Sequence, residues 1–232
     1  MPCYLGLYRH LAPFSADVVV QTLSIIARRL PGFFPAEFPV ARKRSVRLSS
    51  PTDFNPSFVP GAFVIKPDVR LYVPFDGQDG TVVEITDDRA PTVMPASILV
   101  TFASPLPPLD CLEDLMSDLI GAFQPDEARL ADDETQLEDD VRDRRFHIDN
   151  SKVPDMFYWM TWLNPGLLEA AGPDAVARLA ALCHVRRVVG GAIVRLQDEP
   201  SAPGEAWTRR RQAAEDAFGL VALHRRFPRF VE

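Results

Sequence analysis

The segment that most constrains the fold runs from Met156 to Gln197, because it concentrates apolar volume between clear start and stop signals. It opens with five large side chains of aromatic or thioether type and continues through Asn164-Pro165 into a helical pattern. Asn before a helix and Pro at its first position are helix start signals. The segment ends in a β-rich pattern divided by Gly190-Gly191. It therefore predicts the core of the fold, and it contains no catalytic motif.

A small set of residues in this segment gives the fold a signature: Trp159, Trp162, Leu163, Gly190 and Gly191. Met156–Leu163 is predicted to be a buried strand, in which the two tryptophans point to opposite faces because they are three residues apart. We expect both indoles in the core. The glycine pair is either a tight hairpin or a bend within one long strand.

Four further β patterns and three helical patterns predict an α+β domain. The strand patterns are Cys3–His10, Phe63–Phe75, Thr81–Ile85 and Ser97–Phe102. Short reversals between the last three favour an antiparallel sheet. Helices are expected after Ser15, after Asp110 and over Trp207–Leu220, where a guanidinium stacked on Trp207 would be ordinary surface structure. The fold class is thus a largely antiparallel sheet with flanking helices, in a single domain spanning 1–232.

Composition narrows the function. The chain has 232 residues and a net charge of −7, which argues against direct nucleic-acid binding and is compatible with a basic protein partner. Its three cysteines form no CxxC pair, so neither a disulfide framework nor a zinc knuckle is indicated. The Pro-rich residues 31–62, with the basic run Ala41–Arg47, are predicted to be a surface loop region. The apolar run Val18–Ala27 is too short to span a membrane, and with no export signal we expect a cytoplasmic protein.

Motifs for catalysis are missing from the sequence. The four histidines are isolated, and no GxSxG, GxxxxGK[ST] or GxGxxG occurs. We assign no catalytic residue, metal ligand or cofactor. The alternative from another class is a metal-dependent phosphodiesterase or nuclease with a non-standard site, for which Asp68 and Glu84 are conceivable ligands.

The segment Asp126–Asp143 carries nine acidic residues against two arginines. One interpretation is a solvated helix or loop, which is the usual fate of a charge run. The other is an electrostatic docking face for a basic partner. The candidate docking residues are Asp132, Asp133, Glu134, Glu138, Asp139 and Asp140.

The order of motifs resembles a known group of proteins. An amphipathic helix precedes Gln124–Ala128 (QPDEA), and an aromatic strand ends at Trp162-Leu163. A short helix through Gly172, the run VVGGAIVRL, a Pro-containing loop and a closing helix follow. This order is similar to that of bacterial immunity proteins of polymorphic-toxin and type VI secretion systems, above all immunity-protein family 52. The resemblance covers residues 105–220 well and the N-terminal half in outline.

The resemblance implies a single α+β domain without catalytic activity. Such a protein binds and neutralises a cognate toxin encoded beside it, and for family 52 the toxin is a nuclease of restriction-endonuclease fold. It implies no particular binding residues, so the acidic segment stays a hypothesis from charge alone. A third interpretation is an adaptor of a secretion apparatus.

Overall fold

The computed structural model describes residues 3–9, 16–30, 33, 37–41, 44–47, 71–76, 80–87, 96–102, 105–132, 153–154, 156–198 and 204–226. The chain divides into two compact units, one of residues 2–125 and one of residues 126–232 with Met1. We call them the N-terminal and the C-terminal unit and describe each by itself. The predictions at Ser15 and at Asp68 lie outside the described residues.

The N-terminal unit combines antiparallel strands with two helices. Its elements are β1 (Cys3–Arg9), α1 (Ala16–Arg29), β2 (Glu37–Ala41), β3 (Arg44–Arg47), β4 (Leu71–Asp76), β5 (Val82–Asp87), β6 (Ala96–Phe102) and α2 (Leu109–Phe123). Strands follow the order β4-β5-β6-β1, and each of these neighbours pairs antiparallel. Along β6 buried and half-buried residues alternate, as expected for a strand with one face on the core.

The two helices of the N-terminal unit pack through the apolar stripes that their sequences predict. In α1 the stripe residues Val19, Leu23 and Ile26 are buried. In α2 the predicted stripe is also buried, at Leu112, Leu115, Leu119 and Phe123. Helix α2 ends at Phe123, because Gln124 takes a left-handed conformation with φ +51° and its N–H donates to Ile120 O.

The C-terminal unit repeats the α+β plan. Its elements are β7 (Glu127–Asp132), β8 (Met160–Leu163), α3 (Pro165–Ala171), α4 (Ala175–Ala180), β9 (His184–Val188), β10 (Gly191–Arg195), α5 (Glu205–Phe218) and α6 (Leu220–Arg226). The strand order is β7-β8-β10-β9, with antiparallel neighbours throughout. One face of this sheet, with Leu163 and Val194, packs on Leu179, Phe218 and Leu223 of the helices. The α+β class with an antiparallel sheet is confirmed, and the single-domain assignment stays a prediction.

Several local predictions are confirmed in this unit. Asn164 caps α3, since its Oδ1 accepts a hydrogen bond from Leu167 N at 2.9 Å, and Pro165 follows at the first helical position. The glycine pair forms a tight hairpin: Val188 pairs with Gly191 across a two-residue turn in which Gly190 has φ +77°. A positive φ favours glycine, which explains its place in the turn.

Other predictions are wrong in detail. Residues 31–62 are not all loop, because β2 and β3 form a hairpin there, with a register shift that accommodates Pro39 near the bulge. Helix α2 begins at Leu109 behind Pro108, so Asp110 lies in its first turn and is not the cap. Only the last four residues of Met156–Leu163 are strand. The preceding residues are equally buried, and an apolar run alone does not distinguish a strand from a buried loop.

Candidate functional site

The acidic docking hypothesis loses its first residue. Asp132 ends β7 with 0% of its surface exposed, so it is no part of an exposed face. The other five candidates lie outside the described residues: Asp133, Glu134, Glu138, Asp139 and Asp140. The first third of the acidic segment is therefore a buried strand and not a solvated helix or loop.

Strand β7 forms because it pairs with β8 and buries its apolar side chains, although its sequence is rich in charged residues. Ala128, Leu130 and Ala131 are fully buried, and the register pairs Leu130 with Met160 of β8. Burying these side chains and completing a ladder of backbone hydrogen bonds outweighs the weak strand propensity of the sequence EARLAD. Tertiary pairing decides this element.

Arg129 of β7 lies at the centre of a buried polar cluster. Its Nη1 donates to Tyr158 Oη at 2.6 Å and contacts Glu127 Oε1 at 3.2 Å. Its Cζ lies 4.7 Å from the centroid of the Tyr158 ring. Tyr158 N in turn donates to Thr161 Oγ1 at 2.8 Å. The cluster fixes the irregular aromatic segment against the sheet, and its cation is shielded from solvent.

The fold-signature residues meet around β8. Trp159 and Trp162 are 2% and 5% exposed, so the expectation that both indoles are core is confirmed. Gly191 lies directly against this strand: a Cβ at Gly191 would stand 2.2 Å from Leu163 O and 2.8 Å from Trp162 Nε1. Both glycines of the signature therefore have a physical reason. Gly190 supplies the turn conformation and Gly191 permits the close approach.

A second buried cation lies in α5. Arg211 is buried, with Cζ 4.7 Å from the centroid of the Trp207 ring and Nε 3.8 Å from Glu215 Oε1. The same Glu215 oxygen accepts a hydrogen bond from Phe157 N at 3.0 Å. The predicted guanidinium stack on Trp207 exists, but Trp207 is 4% exposed and belongs to the core and not to the surface.

The hairpin of β9 and β10 combines a partly exposed strand, β9, with a mostly buried one, β10. Strand β9 is the last in the strand order among the described residues. His184 and Arg187 on it are exposed, and Arg186 is half-buried. Sequence reasoning did not single out these residues. The signal was available, since no acidic residue occurs between Asp174 and Asp198 in a chain with 32 of them.

The described residues include a cysteine and a carboxylate that could carry chemistry, Cys183 and Glu84. Burial raises the pKa of the Cys183 thiol to about 11, and its Sγ donates to Leu179 O at 3.2 Å, so the thiol is protonated at neutral pH. Glu84 is a half-buried residue of β5. Over the described ranges, no cluster of three or more His, Cys, Asp or Glu is placed to hold a metal ion. No helix in those ranges is long and apolar enough to cross a bilayer.

Comparison with solved structures shows a likeness in fold. A solved structure titled Pseudomonas aeruginosa T6SS protein PA0821 is similar in fold, with a TM-score of 0.60 and 14% sequence identity. The match covers 95% of this chain and 72% of that one. No protein-family model matches the sequence, and no curated protein matches it. At this identity the likeness establishes the fold alone.

Proposed function

We propose that this protein is an immunity protein, which binds a cognate secreted antibacterial toxin inside the producing cell and neutralises it by stoichiometric occlusion. The observation that carries the proposal is the fold shared with a type VI secretion system protein over 95% of the chain. The order of sequence motifs, which resembles immunity proteins, supports it independently. A nuclease of restriction-endonuclease fold is the proposed toxin class.

The chemistry of the described residues supports binding over catalysis. The buried cations Arg129 and Arg211 are each stacked on an aromatic ring and approached by a carboxylate, which makes them part of the packing. The Cys183 thiol is held neutral by burial. In this proposal the protein acts without turning over a substrate, and its activity resides in the complementarity of its surface.

Charge supplies the proposed attraction to the toxin. A nuclease presents a basic groove to nucleic acid, and this chain carries a net charge of −7. The acids proposed to face that groove are Asp133, Glu134, Glu138, Asp139 and Asp140. Opposed potentials of this kind raise the association rate more than the final affinity.

Co-expression with the product of the neighbouring gene tests the proposal. We expect that product to arrest growth alone, and this protein to restore growth and to co-purify with it at a fixed stoichiometry. Persistent toxicity without a complex would reject the immunity function. A phosphodiesterase assay on the purified protein with added divalent metals should detect no turnover, and reproducible turnover would favour the enzymatic alternative.

Paired charge reversals test the docking acids separately. Replacing Asp133 and Glu134 by Lys should slow toxin association and weaken its salt dependence. The matched control replaces Asp174 and Asp216, two exposed acids of the C-terminal unit, by Lys. An equal effect of both pairs would show that only net charge matters and that the acidic segment is not the docking face.

A further inference from the structure

Among the described residues no strand pairs with the outer edge of β9, and the main chain there has hydrogen-bonding groups that point outward. Across a two-residue turn the closing pair, Val188 and Gly191, is hydrogen-bonded, and pairs then alternate along an antiparallel ladder. Arg187 pairs with Ala192 and Val185 with Val194, so both fall at the non-hydrogen-bonded positions. Their N–H and C=O groups consequently point away from β10, toward the open side of the strand.

The side chains along this edge are basic. Strand β9 carries His184, Arg186 and Arg187 and no acidic residue. Arg187 and His184 are exposed on β9 itself. A chain with a net charge of −7 thus presents a local positive edge, which attracts acidic groups and repels basic ones.

Apolar residues flank the basic strand at both ends. Leu182 before β9 is 46% exposed and Val189 after it is 87% exposed. They are two of the three large hydrophobic residues that are exposed in the described part of the chain. An exposed edge with charged residues is usually protected from pairing by those charges. The same charges become selective when the incoming strand carries the opposite sign.

We propose that β9 is a strand-addition site, on which an extended, acidic segment of the toxin pairs along Val185 and Arg187 and places its carboxylates against Arg187. Main-chain hydrogen bonds provide the affinity in this mode, and side chains provide the selection. Leu182 and Val189 contact apolar residues at the two ends of the added strand. The inference rests on the proposed immunity function and adds a second contact surface for the toxin, separate from the acidic residues proposed to face its basic groove.

Two variants of Arg187 separate main-chain pairing from charge. Arg187→Pro removes the N–H that points outward. It removes no hydrogen bond to β10, and proline is tolerated at edge positions of this kind. Arg187→Glu keeps the N–H and reverses the charge. We expect each to raise the dissociation constant of the toxin complex by about tenfold or more, while Arg225→Glu, an exposed reversal on α6, changes it by about twofold or less. Circular dichroism and thermal unfolding of the free variants verify that they are folded.

Hydrogen exchange provides a measurement that requires no variant. The amides of Val185 and Arg187 should exchange rapidly in the free protein and become protected in the toxin complex. If wild-type protein neutralises the toxin while these amides stay unprotected and both Arg187 variants bind normally, the strand-addition site is wrong and the immunity function stands. If wild-type protein does not bind the neighbouring gene's product, the immunity function fails and the strand-addition site fails with it.

Discussion

The guanidinium of Arg211 lies over the ring of Trp207, one helical turn earlier in α5, at 4.7 Å from Cζ to the ring centroid. This stack is buried, and it lets an arginine-rich helix pack against an apolar core because the guanidinium lies on the indole. The cation is therefore a packing residue of the C-terminal unit.

Replacing Arg211 by Ala should lower the free energy of unfolding by about 2 kcal/mol, because it removes a desolvated cation–π contact together with its packing. Denaturant unfolding measures the change. Arg209→Ala is the matched control on the same helix, since Arg209 is 73% exposed and lies 3.7 Å from an 85% exposed Glu205. A pair of this kind contributes about 0.5 kcal/mol at most. Equal losses for the two variants would contradict the packing role.

The side chain of Asn164 makes two hydrogen bonds of different kinds. Its Oδ1 caps α3 at Leu167 N, and its Nδ2 donates to Asp126 O at 3.0 Å. Asn164→Ala should lower the free energy of unfolding by about 2 kcal/mol, the sum of a lost cap and a lost, partly buried hydrogen bond. Asn164→Ser keeps a capping oxygen and loses the longer reach, so it should cost about half as much. Thermal unfolding of both variants tests this order, and a serine variant as unstable as the alanine variant would refute it.

Gly191 has no room for a side chain. Gly191→Ala would set a Cβ against Leu163 O at 2.2 Å, and because the clash is with backbone it should destabilise the protein by about 3 kcal/mol. Gly121→Ala is the control, since that glycine lies in α2 with no atom within 4 Å of the added methyl. It should stabilise the protein by about 0.5 kcal/mol. The two substitutions should change the free energy of unfolding in opposite directions relative to wild type.

Asp118 of α2 forms salt bridges with two arginines at the end of α1. Its Oδ2 accepts from Arg29 Nε at 2.8 Å and from Arg28 Nη2 at 3.1 Å, and the hydrogen bond from Arg29 is the main cause that lowers the pKa of Asp118. A lowered pKa in the folded state means that the carboxylate stabilises the fold above its ordinary pKa of 3.8. The stabilisation is lost as the pH falls below that value.

Asp118→Asn should therefore reduce stability at pH 7 by about 1 kcal/mol, and the difference from wild type should shrink as the pH falls toward 2.5. Urea unfolding at several pH values measures it. A double-mutant cycle with Arg29→Gln isolates the pair, because the coupling energy should show the same pH dependence. A coupling that persists unchanged at low pH would contradict the assignment.

Local chemistry was predictable from sequence where a few neighbouring residues decide the structure. The start of α3 depends on a capping hydrogen bond from the Asn164 side chain and on the fixed φ of Pro165, and both residues are recognisable in the sequence. The stripe from Leu112 to Phe123 likewise needs only helical periodicity. The antiparallel class followed from the short reversals between the strand patterns.

Structure that depends on distant partners was not predictable in the same way. Strand β7 (EARLAD) forms because β8 pairs with it, and the residues next to β7 in the sequence do not indicate that partner. Its arginine neighbours predict a surface position for Trp207, whereas the fold turns Arg211 inward above it. The basic residues of β9 form an edge only through the strand order, which the local sequence does not specify.

The strand order also fixes when β8 is completed during synthesis. Its second neighbour, β10, follows β9 in the chain, so one side of the apolar strand MTWL stays unpaired until residue 195 has emerged from the ribosome. Unpaired apolar strands are sites of intermolecular association. A nascent chain that stalls at Val188 should therefore need a chaperone or precipitate, whereas one that reaches Gln197 closes this gap with its own hairpin. Comparing the solubility of these two truncations measures how far residues 189–197 protect the nascent chain from aggregation.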